Sequence, residues 1–95
     1  MDFKEAPADF LTQLKDKTVK EDQLVKFECQ VNKANVKVKW TLNGERLNAD
    51  DNIIIDSVND MRILTISKCQ LADNGKVSCI LPGNKASTAK LVVEG

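Results

Sequence analysis

Ninety-five residues are enough for one domain and too few for two. An apolar fraction of 42% allows a real core, and 14 basic residues cancel 14 acidic ones, so the basic excess of a nucleic-acid binder is missing. No apolar run approaches the roughly 20 residues needed to cross a bilayer as a helix.

Along the chain the apolar residues alternate with a period of two, and no stretch holds a helical period. Residues 9–14 and 15–19 read as one strand broken into two pieces. In residues 23–31, Val25, Phe27, Cys29 and Val31 share one face, against Lys26, Glu28 and Gln30 on the other. Residues 36–42 repeat the pattern, with Val36, Val38, Trp40 and Leu42 opposed to Lys37, Lys39 and Thr41. Both predict half-buried strands. Asn43-Gly44 is the strongest turn signal in the chain. Short strands are predicted at 53–55, 61–67 and 75–81, the last with Val77, Cys79 and Leu81 inward. A turn at Pro82-Gly83-Asn84-Lys85 leads to a closing strand over 86–94, with Ala89, Leu91 and Val93 inward. Eight or so short strands with no helix predict an all-β sandwich.

The residues that carry most enzyme chemistry are absent or scattered. The chain has no His, so the commonest general base and metal ligand is missing. Three cysteines without a Cys-x-x-Cys pair make no zinc site, and four glycines placed singly cradle no phosphate. Asp50-Asp51 lies in a polar turn without a calcium-loop pattern. We therefore expect no catalytic, cofactor or metal site. The odd cysteine count and the lack of an Asn-x-Ser/Thr triplet point to a reducing compartment, and the charged opening Met1-Asp2-Phe3-Lys4-Glu5-Ala6-Pro7 is unlike a secretory signal.

Cys29 and Cys79 lie on the second and penultimate strands, and Trp40 follows Cys29 by eleven positions on the next one. Leu64-Thr65-Ile66 and Leu71-Ala72-Asp73-Asn74-Gly75-Lys76-Val77-Ser78-Cys79 complete a pattern, L-x-I…D-x-G-x-x-x-C, that resembles the immunoglobulin superfamily from about Pro7 to Val93. The resemblance implies a Greek-key sandwich of the I-set type over residues 7–95, preceded by a leading segment at 1–6, with Cys29, Trp40, Leu64, Asp73, Gly75 and Cys79 as its core signature. Val38-Lys39-Trp40-Thr41-Leu42-Asn43-Gly44-Glu45, Cys69-Gln70-Leu71 and Gly75-Lys76-Val77-Ser78 narrow it to the intracellular modules of giant muscle proteins. Those of the titin I-band are the most similar, with twitchin, obscurin and myosin-binding protein C as relatives. One departure stands out: two residues before the second Cys the superfamily has a Tyr whose hydroxyl bonds back to the backbone, and here the position is Val77. That corner bond is expected to be lost, with some local stability.

What the resemblance implies for function is a structural module in a chain of similar modules, in the cytoplasm at the sarcomere and myofibril. Its expected partners are neighbouring immunoglobulin-like domains and other sarcomeric proteins, with no nucleic acid and no membrane, and the isolated domain is expected to be monomeric. The ends of the sequence fall at natural module edges, as for one bead of a longer string. Residues 15–19 should lie parallel to residues 91–94, making Thr18, Val19, Leu91 and Val93 a candidate mechanical clamp. Lys37, Lys39, Lys76 and Lys90 should face outward around Ile80 and Val92, a candidate basic interaction face, while Asp50, Asp51, Asp56 and Asp60 form an acidic edge. Against each stands a plainer reading: a solvated surface for the charges, core filler for Cys69, and covering of the sandwich edge for Phe3 and Phe10. Cys29 and Cys79 are either buried thiols or an inter-sheet disulfide. The rival role is a dedicated docking or adhesion domain, whose extracellular receptor version requires that disulfide.

Overall fold

Alternation sets the two layers. In strand β3 (Val25–Val31), Val25, Phe27, Cys29 and Val31 are buried, while Lys26 and Glu28 face solvent. A computed structural model describes residues 9–34, 36–83 and 85–95 of the chain. The other strands are β1 (Phe10–Thr12), β2 (Lys17–Lys20), β4 (Lys39–Leu42), β5 (Glu45–Arg46), β6 (Ile53–Val58), β7 (Met61–Ile66), β8 (Gly75–Ile80) and β9 (Ala86–Glu94). They form a four-stranded sheet in the order β1-β3-β7-β6 and a five-stranded sheet in the order β2-β9-β8-β4-β5. The inward residues of both sheets meet in one core around Phe27, Trp40, Leu64, Ile66, Val77 and Leu91. This is the sandwich the alternation predicts. The proposed boundary at residues 6 and 7, and Phe3, lie outside the described residues; Phe10 is half-buried against the core.

The ladders are antiparallel with one exception. The closing strand β9 pairs antiparallel with β8 but parallel with β2, in the register Lys17 to Leu91, Thr18 to Val92, Val19 to Val93 and Lys20 to Glu94. The front strand is indeed broken, since β1 belongs to one sheet and β2 to the other.

Two features depart from the all-strand expectation. A single 3-10 turn covers Leu71–Asp73, held by the Asp73 carboxylate, which accepts the Gln70 amide at 2.9 Å. The second is the two-residue strand β5, created by the Asn43-Gly44 turn, where φ is +54° and +86°. Positive φ at both central positions gives the twist that a tight hairpin needs. The Asn43 side chain then ties this turn to the neighbouring strand, accepting the Lys76 amide and donating to the Asn74 carbonyl, both at 3.0 Å. Gly75 lies beside it at φ +146°, where an added Cβ would overlap the Asn43 amide. A glycine is required there by space as well as by backbone.

Candidate functional site

The parallel edge strand is the first candidate. In β2 the alternation puts Val19 half-buried against the core and leaves Thr18 exposed. Leu91 and Val93 of β9 are buried. The Glu21 amide donates to the Glu94 carbonyl at 2.7 Å, which fixes the phase of the ladder. Backbone groups point alternately left and right along a strand, so Val19 and Lys17 direct their amides to β9 and Thr18 directs its amide to solvent. At the other end Asp16 accepts the Lys90 amide at 2.8 Å, adding a side-chain bond to the same row. On its opposite side β9 is gripped by Asn74, whose side chain accepts from the Val93 amide at 2.6 Å and donates to the Val93 carbonyl at 3.0 Å. A second donation, to the Leu71 carbonyl at 2.8 Å, anchors Asn74 to the 3-10 turn. The corner where the superfamily uses a Tyr hydroxyl thus has its own polar tie, and Val77 in the Tyr position is fully buried. The Tyr hydroxyl bond is absent as expected, and Asn74, three residues upstream, instead ties the 3-10 turn to β9.

Four of the six signature residues, Cys29, Trp40, Leu64 and Cys79, meet in the core, while Asp73 and Gly75 are half-buried at the 3-10 turn and the start of β8. Trp40 is in register with Cys79 on the adjacent strand, and Leu64 sits between Phe27 and Ile55. The Cys29 and Cys79 sulfurs are 3.7 Å apart as thiols, and Cys69 is buried as well. Cys69 lies past the far end of β7 from Arg62, the residue that faces Cys29 in register, so the topology separates it from the pair. The Cys79 thiol is pushed well above its usual range, first by the hydrogen bond it shares with Cys29 and then by burial. Burial pushes Cys69 up too, helped by the Asp73 charge. The same bond to Cys79 lowers Cys29 instead, so what shields all three from a reagent is burial, each being 0% exposed. A thiol reagent should therefore label none of the three in the native protein and all three after unfolding; one label after unfolding would mean a Cys29–Cys79 disulfide. The same shifts predict alkaline weakening. Above the ordinary thiol value of 9.0 the unfolded chain releases protons that the folded chain keeps. Stability then falls by up to about 1.4 kcal/mol per pH unit for each of Cys79 and Cys69, after a smaller opposing gain below that value from Cys29, whose thiol the bond to Cys79 lowers. Denaturation midpoints at pH 8 and pH 10, both with reductant, measure this, and an unchanged midpoint would contradict it.

The four lysines of the candidate face all point to solvent, on or beside the five-stranded sheet, but not as one patch. Lys76 and Lys90 are directly opposed in register on β8 and β9, whereas Lys39 is opposed to Ile80. Four residues separate Lys76 from Ile80, about 13 Å along the strand. Lys37 precedes β4 and joins Lys39 at that far end. Ile80 and Val92 are half-buried at opposite ends, Ile80 level with Lys39 and Val92 beyond Lys90, while Ser78 and Thr88 lie between the two groups. Of the acidic edge, Asp50 accepts the Asn52 and Ile53 amides at 2.8 Å and Asp60 accepts Gln30 at 2.8 Å, so these two hold turns and strands in place. Asp56 is exposed on β6 beside Ile54 and Val58, both of them exposed apolar residues. Among the described residues no group of three or more His, Cys, Asp or Glu side chains is placed to hold a metal ion, and no helix is long and apolar enough to cross a membrane.

Arg62 was not singled out by the sequence reading. It is 1% exposed, inside the sandwich. Its guanidinium donates to the carbonyls of Val36, at 3.0 and 2.6 Å, and of Ala34, Asn59 and Met61, each at 2.8 Å. It therefore fastens the loop before β4 to the start of β7. The signal was present: Arg62 is in phase with Leu64 and Ile66, the inward residues of its strand.

Comparison with known proteins agrees with this geometry. The sequence profile of the Immunoglobulin I-set domain matches residues 8–93. Cardiac-type myosin-binding protein C of Rattus norvegicus is 33% identical over 70 residues, 74% of this chain and 6% of that protein. The muscle M-line assembly protein unc-89 of Caenorhabditis elegans is 33% identical over 96 residues, 97% of this chain and 1% of that protein. The chain thus spans a small part of the relatives it matches. Among solved structures, titin domain I81 superposes with a TM-score of 0.83 at 26% identity, covering 96% of this chain and 100% of that one. A structure described as the IG27 protein domain gives 0.88 at 28% identity, covering 92% and 97%.

Proposed function

This chain belongs to the immunoglobulin I-set family, and on that premise we propose that it is a structural module of a multidomain sarcomeric protein, resisting tension and holding neighbours in place. The observation that carries the mechanical half is the parallel pairing of β2 with β9. Tension enters one strand at its N-terminal side and leaves the other at its C-terminal side. In parallel neighbours those pulls are opposed along a common axis, so the bonds between them are loaded in shear and together. Each bond contributes only about 1 kcal/mol net, but none can break alone. The relatives that match, a myosin-binding protein and an M-line assembly protein, support the sarcomeric setting and a place in the cytoplasm at the myofibril. Contact with neighbouring domains, and with other sarcomeric proteins through the lysine-bearing sheet, completes the role.

The test is to stretch the domain from its two ends within a chain of marker domains. The expected record is one abrupt event that releases about 300 Å of contour, as 95 residues at 3.3–3.6 Å each allow. Gradual lengthening without an abrupt event would defeat the mechanical reading and leave docking as the better one.

A further inference from the structure

One end of the five-stranded sheet gathers cations without giving them anions. Lys37, Lys39 and Arg46 line a half-open groove of about 560 Å³ whose floor includes Val38, Ile80 and Pro82. None of the three cations makes an ion pair among the described residues, whereas nearby Lys85 is taken by Asp9 at 3.0 Å. Three cations over an apolar floor are complementary to a ligand that is both anionic and apolar.

The backbone beside them is open as well. Strand β5 covers β4 only at Thr41 and Leu42, and the last bond on that side runs from the Leu47 amide to the Trp40 carbonyl. After Leu47 the chain leaves for β6 in the other sheet. Residues 37–39 therefore border the sheet with no strand paired on that side among the described residues. An uncovered edge accepts an extended chain as one more strand. Arg62 fixes the approach to it, because the carbonyls it holds at Ala34 and Val36 immediately precede Lys37. A loop already held in place loses little freedom on binding.

We propose that the open edge at residues 37–39, on the side of β4 away from β8 and next to this groove, binds an extended peptide segment in which acidic and apolar side chains alternate, added as one more strand. Its outward acids meet Lys37, Lys39 and Arg46, and its alternate apolar residues meet Val38, in keeping with the period of two. The inference rests on the partner-binding half of the proposed role and not on the mechanical half. None of the groove residues is in β2 or β9, so failure here leaves the pulling behaviour untouched.

The experiment is a titration of the isotope-labelled 95-residue domain, followed by amide chemical shifts. The probe is a synthetic eight-residue peptide alternating Glu and Val; one alternating Lys and Val is the comparison. Expected are shifts at Lys37, Val38 and Lys39 with the Glu peptide alone, weakening as salt rises. The double variant Lys39→Glu, Arg46→Glu should bind it about tenfold or more weakly, while Lys76→Glu, Lys90→Glu should bind it as the parent does. All four substituted side chains are exposed. Single replacement Lys37→Ala serves as a milder check, with a smaller loss expected. No shift at the groove, equal binding of the Lys peptide, unchanged binding by the double variant, or retention only by phosphatidylserine vesicles would each overturn the proposal.

Discussion

Replacing Val19 by Pro should make the domain unfold about five- to thirty-fold faster under a constant pulling force, and replacing Thr18 by Pro should change that rate far less. Val19 directs its amide into the ladder with β9, and proline has no amide hydrogen to give. The missing bond lowers the barrier by about 1–2 kcal/mol, which is the stated factor in rate. Thr18 makes the comparison fair. It lies one residue earlier on the same edge strand and receives the same ring constraint, but its amide faces solvent. Proline is tolerated in edge strands in that position. Equal acceleration by the two variants would mean that strain, and not the ladder, sets the barrier. No acceleration by Val19→Pro would mean that resistance resides elsewhere.

Arg62→Met is expected to cost about 3–5 kcal/mol of folding stability, a large share of the roughly 5–15 kcal/mol typical of a domain. Met keeps much of the bulk and removes the donors. Four backbone carbonyls, those of Ala34, Val36, Asn59 and Met61, are then left without this partner where Arg62 is 1% exposed. Buried ionic groups are sometimes replaced by apolar ones without loss, so the sign has to be argued. Here the charge faces carbonyl dipoles spread around a planar fork, a geometry that uses several donors at once. Removing it orphans acceptors on both sides of the loop. Arg62→Lys should fall between, with one ammonium in place of five N–H groups. Urea unfolding followed by circular dichroism measures the difference. A Met variant within about 1 kcal/mol of the parent would show that the loop needs no fastening.

The fold was legible because its long strands alternate without interruption. Residues 86–94 could be bounded from Ala89, Leu91 and Val93 alone, and the structure has β9 at Ala86–Glu94. The shorter elements were hidden for reasons of size and chemistry. Two residues, Glu45 and Arg46, carry no period, and the 3-10 turn at Leu71–Asp73 is too short to show one. Asp56 and Ser57 resemble turn residues, but cross-strand pairing with Ile63 and Arg62 carries β6 on to Val58. Charge hid Arg62, whose phase marked it as inward. The lysine face shows a different limit. Alternation told which way Lys39 and Lys76 point, whereas how far apart they sit depends on the β4–β8 register, which local pattern does not contain. The groove depends on that register too, together with the early end of β5.

Trp40 is the only tryptophan, and the chain has no tyrosine. Its indole Nε1 has no hydrogen-bond partner among the described residues, and its neighbour in register is Cys79. A lone chromophore in so dry a setting should emit toward the blue. When the layers part, water reaches the ring, so the emission should redden. The domain thus carries its own lamp, wired to the seam between its sheets.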